Sequence, residues 1–175
     1  MLITFTSAKQ VLADGGGGSE VGILYGLSVP DVANTNPHEL YGVKGSTFLG
    51  GAFSVGGYYL QSGHTQGHNG VDFDYTMTGI DAAYHFPNGG GDTYLGIRGG
   101  ITKLAMSPSN VDVLYSPYHY GVMLGYDYYV TSWLTFGFEG SYVHVESSTD
   151  TKSGTVYTQD KWSLINFLVD LSFRF

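Results

Sequence analysis

The chain has no cysteine, so neither a disulfide framework nor a thiolate metal site is open to it. It is also poor in charge. Asp, Glu, Lys and Arg make up 13% of its 175 residues, about half the roughly 25% usual in soluble domains. The charge present leans negative, 15 acids against 7 Lys and Arg, which leaves no basic stripe for a nucleic-acid backbone. No run approaches the ~18 consecutive apolar residues of a membrane-spanning helix. That excludes helical spans only, because a barrel strand crosses with about 9–11 residues and a weak signal in each segment.

So little charge would ordinarily accompany a hydrophobic chain, yet the mean hydropathy is -0.02. Glycine and aromatics fill the gap: 27 Gly, 15 Tyr and 10 Phe. Few charges, many tyrosines and neutral hydropathy together describe strands with one apolar face and one small, polar face. The length suits one domain.

The patterning agrees. No helical period of any length is present, whereas period-two alternation recurs. At the C-terminus Ile165, Phe167, Val169, Leu171, Phe173 and Phe175 alternate with Asn166, Leu168, Asp170, Ser172 and Arg174. Successive strand side chains point to opposite faces, so one face is wholly apolar. Tyr118, Tyr120, Val122, Leu124, Tyr126, Tyr128 and Val130 repeat the pattern opposite His119, Gly121, Met123, Gly125 and Asp127. Eight strands follow, at residues 20–29, 39–48, 52–62, 71–86, 92–106, 118–130, 134–145 and from 165 to the end. In the fourth, Val71, Phe73, Tyr75 and Met77 read as the apolar face, and the phase changes after Gly79, as a β-bulge there would produce. The connections alternate. Residues 30–38, 63–70, 107–117 and 148–160 are long and polar, while 49–51, 87–91 and 131–132 are short. Short periplasmic turns and long external loops are the habit of outer-membrane barrels. An even strand number puts both termini on the periplasmic side.

Residues 1–19 stand apart. Residues 1–13 read as the end of an export signal or other leader, with Val11 and Ala13 fitting a small-residue cleavage site before Asp14, or as a periplasmic segment. Residues 15–19 (GGGGS) read as a flexible linker or as the mature N-terminus. Residues 20–175 form the barrel.

Alternation also fits a soluble barrel with its apolar face inward. Several features favour the inside-out arrangement. The polar face carries Gly, Ser, Thr and a few carboxylates rather than the Lys and Glu that water requires. Small residues suit a narrow eight-stranded lumen. The strands reach about 13–16 residues, long beside the usual 5–6. Tyrosines also gather at strand ends, where interfacial girdles sit.

The ending FLVDLSFRF (residues 167–175) resembles the C-terminal strand of bacterial outer-membrane proteins. The stretch GYDYYVTSWLTFGFEGSY (residues 125–142) resembles the penultimate hairpin of the small eight-stranded, OmpA-like and OmpX-like barrels. Asp170 stands where that terminal signal often has Gly. The resemblance implies an all-β, up-and-down transmembrane barrel in the outer membrane, multi-pass and without a peptidoglycan-binding domain. It also implies that Phe167, Val169, Leu171, Phe173 and Phe175 form the signal read by the barrel-assembly machinery.

The polar face collects Lys44, Asp74, Asp81, Arg98, Asp127, Glu139, Asn166, Asp170 and Arg174. In a lumen such charges must pair or meet water. They form either a polar plug that satisfies itself or a gated pore with Lys44 or Arg98 as its switch. His64 and His68 lie four apart in a loop, a spacing without metal-site logic off a helix, so no metal and no cofactor is expected. His144 and Glu146 share a face while Ser147 points away, so no catalytic serine is expected and the chain is read as a non-enzyme. Lys103 lies near the outer rim on the lipid side, placed to meet a lipopolysaccharide phosphate or to snorkel. The expected role is structural or interactive: envelope integrity, loop presentation, and self-association through the outward glycines Gly99 and Gly140. A narrow pore or small-solute transporter is the alternative, and a lipid A-modifying enzyme a third reading. The expected partners are outer-membrane lipids including lipopolysaccharide, the assembly machinery and a second copy, with no nucleic acid.

Overall fold

The computed structural model describes residues 18–31, 36–63, 65–66, 72–106 and 113–175. Residues 1–17, most of the N-terminal segment 1–19 set apart above, and the loop histidines His64 and His68 lie outside the described residues. In chain order the strands are β1 (Ser19–Pro30), β2 (His38–Leu49), β3 (Phe53–Ser62), β4 (Thr65–Gln66), β5 (Asp72–Pro87) and β6 (Gly91–Met106). They continue with β7 (Val113–Tyr115), β8 (Tyr118–Tyr129), β9 (Leu134–Val145), β10 (Ser148–Lys152), β11 (Thr155–Gln159) and β12 (Trp162–Arg174).

Eight of these are the staves of a closed antiparallel barrel: β1, β2, β3, β5, β6, β8, β9 and β12. Closure is made by β1 against β12, from Glu20↔Arg174 to Pro30↔Leu164. Backbone bonds between Ser19 and Phe175, each 2.9 Å, seal the seam at the termini. Closure matters because an open edge in lipid would leave a row of N–H and C=O groups without partners. The turns that join the staves at the end holding both chain ends are short. Gly50, Gly51 and Gly89 take positive φ there, which glycine adopts without a Cβ clash. The staves match the expected spans within a residue or two, except that β12 begins at Trp162, ahead of Ile165.

The burial pattern is inside-out. On β12, Ile165, Phe167, Val169, Leu171 and Phe173 are exposed, and Leu164, Asn166, Leu168, Asp170 and Ser172 are buried. On β1, Val21, Ile23, Tyr25 and Leu27 are exposed while Leu24 and Ser28 are buried. Exposed Leu, Ile, Val, Phe and Tyr on every stave make a continuous apolar belt of a kind that monomeric soluble proteins do not present to water.

Two expectations are corrected. No bulge interrupts β5. Its register runs unbroken against β3 (Phe53↔Tyr84 to Gln61↔Thr76) and against β6 (Phe73↔Met106 to Pro87↔Asp92). The phase therefore never shifts. Tyr75 and Met77 face the lumen at 1% and 0% exposure, and Asp74 is exposed on the outward face. Hydrophobicity misled here because the outer part of the lumen is itself apolar. The segment 148–160, expected as a polar loop, contains the hairpin β10–β11, turning at Ser153 and Gly154. Short strands β4 and β7 likewise extend β5 and β6 beyond the wall.

Candidate functional site

The lumen has two layers. Toward the long loops, each of seven staves sends in an apolar side chain: Leu24, Leu40, Leu60, Met77, Leu104, Val143 and Leu164, all at 4% exposure or less. Tyr75 and Trp162 pack edge-on above them, ring centroids 5.6 Å apart, and β7 adds Val113 and Tyr115 to the same cluster. His38 Nε2 and the Tyr75 hydroxyl bond at 2.9 Å, satisfying two polar groups within this layer. Each such side chain buried contributes roughly 1.5–3 kcal/mol.

The other layer, toward the termini, is charged. Arg98 Nη2 lies 2.7 Å from Glu139 Oε1 and 3.9 Å from Asp81 Oδ2, with the guanidinium 4.8 Å over the Tyr58 ring. Tyr94 donates to Glu139 Oε2 at 3.2 Å. Lys44 Nζ meets Asp170 Oδ2 at 2.9 Å, and Ser172 donates to the other oxygen of Asp170. At the mouth Arg174 Nε bonds Glu20 Oε2 at 3.2 Å, its Nη2 is 3.9 Å from Asp92, and its guanidinium lies over Tyr129 and Phe48. Asn166 accepts from Ser28 at 2.7 Å and donates to Ser141, where the two layers meet. His119 bonds Tyr58 and Thr102.

Of the residues expected in the lumen, the structure places Lys44, Asp81, Arg98, Asp127, Glu139, Asn166, Asp170 and Arg174 inside. Asp74 is the correction, being outside. Sequence reasoning missed Glu20, Asp92, Tyr58 and Tyr94, and gave His85 and His119, already on the polar face, no part in the lumen. Glu20 and Asp92 share strand parity with residues that were read correctly, so the alternation could have found them.

Asp127 and Asp170 sit on either side of Gly137 in one cross-strand row. A Cβ at Gly137 would come within 2.3 Å of Asp170 Oδ2 and 2.5 Å of Asp127 Oδ1, so only glycine lets the two carboxylates close over it. Asp170 has Lys44; Asp127 is 1% exposed and its Oδ1 has no partner. Asp127 borders a cavity of about 30 Å³ shared with Lys44, Asp81, His85 and Glu139, room for about one water. Among the described residues no group of His, Asp and Glu is arranged to hold a metal ion.

On the outer face, Phe167, Val169, Leu171, Phe173 and Phe175 are all exposed in one row down the final strand. Lys103 is exposed and outward near the loop end of β6. Higher on the same face Ser163 Oγ accepts from Tyr142 at 3.0 Å and lies 3.2 Å from His144 Nδ1. His144 Nε2 is 3.9 Å from Glu146, which accepts from Tyr120 at 3.1 Å. The serine near His144 is thus Ser163, from another stave, rather than Ser147. Above the wall, the Leu114 N–H bonds Asp150, holding its carboxyl below the usual range and tying the β10–β11 hairpin to β7.

No family model matches the chain, and no curated protein matches it in sequence. Solved structures do match in fold. Neisserial surface protein A (NspA) superposes with a TM-score of 0.70 at 14% identity, covering 91% of this chain and 97% of that one. Ail, the attachment invasion locus protein of Yersinia pestis, gives 0.58 at 14% identity, covering 91% and 99%. The N-terminal β-barrel domain of Pseudomonas aeruginosa OprF gives 0.53 at 18% identity, covering 91% and 100%. The closed eight-stave wall, the apolar outer belt and these likenesses agree: the chain has the fold of the small eight-stranded bacterial outer-membrane β-barrels.

Proposed function

We propose that this barrel is a structural and interaction protein of the outer membrane and not a conduit. The observation that carries this reading is the apolar layer closing the outer part of the lumen. A solute path would have to cross seven packed apolar side chains and then a charged layer whose cavity holds about one water. An eight-stranded lumen is just wide enough for side chains to fill it. Lys44 and Arg98 are held in ion pairs inside that layer, which favours a self-satisfied plug over a gating switch. The surfaces left to act are the lipid-facing belt and the loop end, where the β10–β11 hairpin presents Thr151, Lys152 and the exposed Val156. The partners under this reading are outer-membrane lipids including lipopolysaccharide, which the exposed Lys103 would meet, the assembly machinery at the final strand, and a second copy approaching over Gly99.

Planar-bilayer recording of the refolded barrel tests this. Baseline current at several hundred millivolts is the expected result. Reproducible unitary steps that disappear on removing the protein would refute the closed lumen and restore the narrow-pore reading.

A further inference from the structure

Eight pairings close the wall, and seven of them join staves that follow one another in the chain. A turn or loop limits how far such a pair can slip. The eighth, β1 against β12, joins the two ends of the chain, so no connection sets its register. That register nonetheless decides the barrel. Followed from Phe173 through Val21, Gly57, Gly99 and His144, one cross-strand row returns to β12 at Ser163. The stagger of the wall is therefore ten residues, 173 less 163. Stagger and strand number are linked to the girth of a barrel, so a seam closed in another register would enclose a lumen of another width.

A slip of one residue would turn every side chain of β12 to the opposite face and bring Phe167 and Phe173 into the lumen. The competing closures are therefore slips of two. Three features of the inward row oppose them. Near the termini Arg174 Nε bonds Glu20 Oε2 at 3.2 Å, and Glu20 is 5% exposed. Farther up the seam Ser28 donates to Asn166 at 2.7 Å, and both are buried. Between these pairs the backbones run so close that a Cβ at Gly26 would lie 1.9 Å from the Phe167 carbonyl oxygen.

Slipped one way, Glu20 meets Ser172, Ser28 meets Leu164, and Leu24 replaces Gly26 opposite Leu168. Slipped the other way, Arg174 meets Gly22, and Ser28 takes the place opposite Leu168. Either slip breaks both polar pairs and leaves their buried groups without partners. Either also sets a residue with a Cβ where the native seam has room for glycine alone. Fixing register is the best-attested use of buried polar pairs.

We propose that the Glu20–Arg174 and Ser28–Asn166 pairs, with Gly26 between them, are the register lock of this barrel. They admit one closure of β1 on β12 and thereby set the stagger of ten and the width of the lumen. The lock stands whether or not the lumen conducts.

Disulfide trapping tests it, and the chain has no cysteine of its own to interfere. Combined with Val21→Cys, the substitution Phe173→Cys reports the native register, and Leu171→Cys and Phe175→Cys report the two slips. All four positions are on the exposed outer row, away from the lock. The barrel is folded into phosphatidylcholine vesicles and oxidised with copper–phenanthroline. Disulfide is counted only in the band that shows the heat-dependent gel shift. Diagonal neighbours lie about 7–8 Å apart, beyond easy bridging, so the native pair should form at least about tenfold faster than either slipped pair. Arg174→Met with Asn166→Leu removes both polar pairs, and the slipped disulfides should then gain at least about fivefold on the native one. Ser28→Asn with Asn166→Ser exchanges the partners of one pair and should keep the native ratio. Equal rates for the three cysteine pairs with the lock intact overturn the proposal. So does a barrel without both polar pairs that still closes with the native ratio. Should that double variant not fold, Arg174→Met and Asn166→Leu are read singly: a reduced native ratio supports the lock, and an unchanged one overturns it.

Discussion

Asp127 and Asp170 face each other across Gly137, carry the same charge and are almost equally buried, at 1% and 2%. Replacing each with asparagine should nonetheless have opposite effects. Their nearest oxygens are both within van der Waals reach of one point, so they lie no more than about 5 Å apart, where two unit charges at an effective dielectric of ~20 repel by about 3 kcal/mol. Asp170 offsets this with Lys44 at 2.9 Å and a bond from Ser172, while Asp127 Oδ1 has no partner. The layer as a whole is overcharged: Glu20, Asp81, Asp92, Asp127, Glu139 and Asp170 stand against Lys44, Arg98 and Arg174. Asp127→Asn removes the repulsion and one unpaired buried charge, and loses a weaker attraction to Lys44. It should leave the barrel as stable as before or more stable by about 1–2 kcal/mol. Asp170→Asn strands Lys44, whose side chain is 11% exposed, and should cost about 3 kcal/mol, the lower end for breaking a buried pair because Asp127 remains close. Reversible urea unfolding from vesicles, followed by tryptophan fluorescence and gel shift, separates the two. An Asp127→Asn barrel destabilised as much as Asp170→Asn would show that Asp127 is paired and that the charge reasoning is wrong.

Glycine substitutions should divide by wall face. An alanine Cβ at Gly26 would sit 1.9 Å from the Phe167 carbonyl oxygen, while one at Gly45 would find its nearest atom at 3.7 Å; refolding yields should collapse for Gly26→Ala and hold for Gly45→Ala, and equal yields would mean the wall relaxes more freely than its ladder suggests. Phe175 is 80% exposed, beyond the last stave residue, so Phe175→Ala should change unfolding in vitro by less than about 0.5 kcal/mol yet lower the amount of barrel assembled in cells. Unchanged assembly would remove the role that the C-terminal resemblance implies.

Much of the architecture follows from the sequence alone, for a local reason. A strand with one face in lipid must alternate, so Ile165 to Phe175 and Tyr118 to Val130 announce both strand and face without reference to any partner. Loop lengths then supply the up-and-down order and the common end of the termini. Most of the lumen charges were legible too, since parity alone puts Lys44, Arg98, Glu139 and Asp170 opposite the apolar face. What the sequence could not decide is anything set by which residues meet across staves. Tyr75 and Met77 look outward until the eight inner faces converge and the outer part of the lumen becomes an apolar core. Asp127 and Asp170 lie 43 positions apart, and Ser163 and His144 lie 19 apart; each pair is neighbours only through register. Alternation tells which way a side chain points. Register and closure, properties of the whole sheet, decide what it finds there.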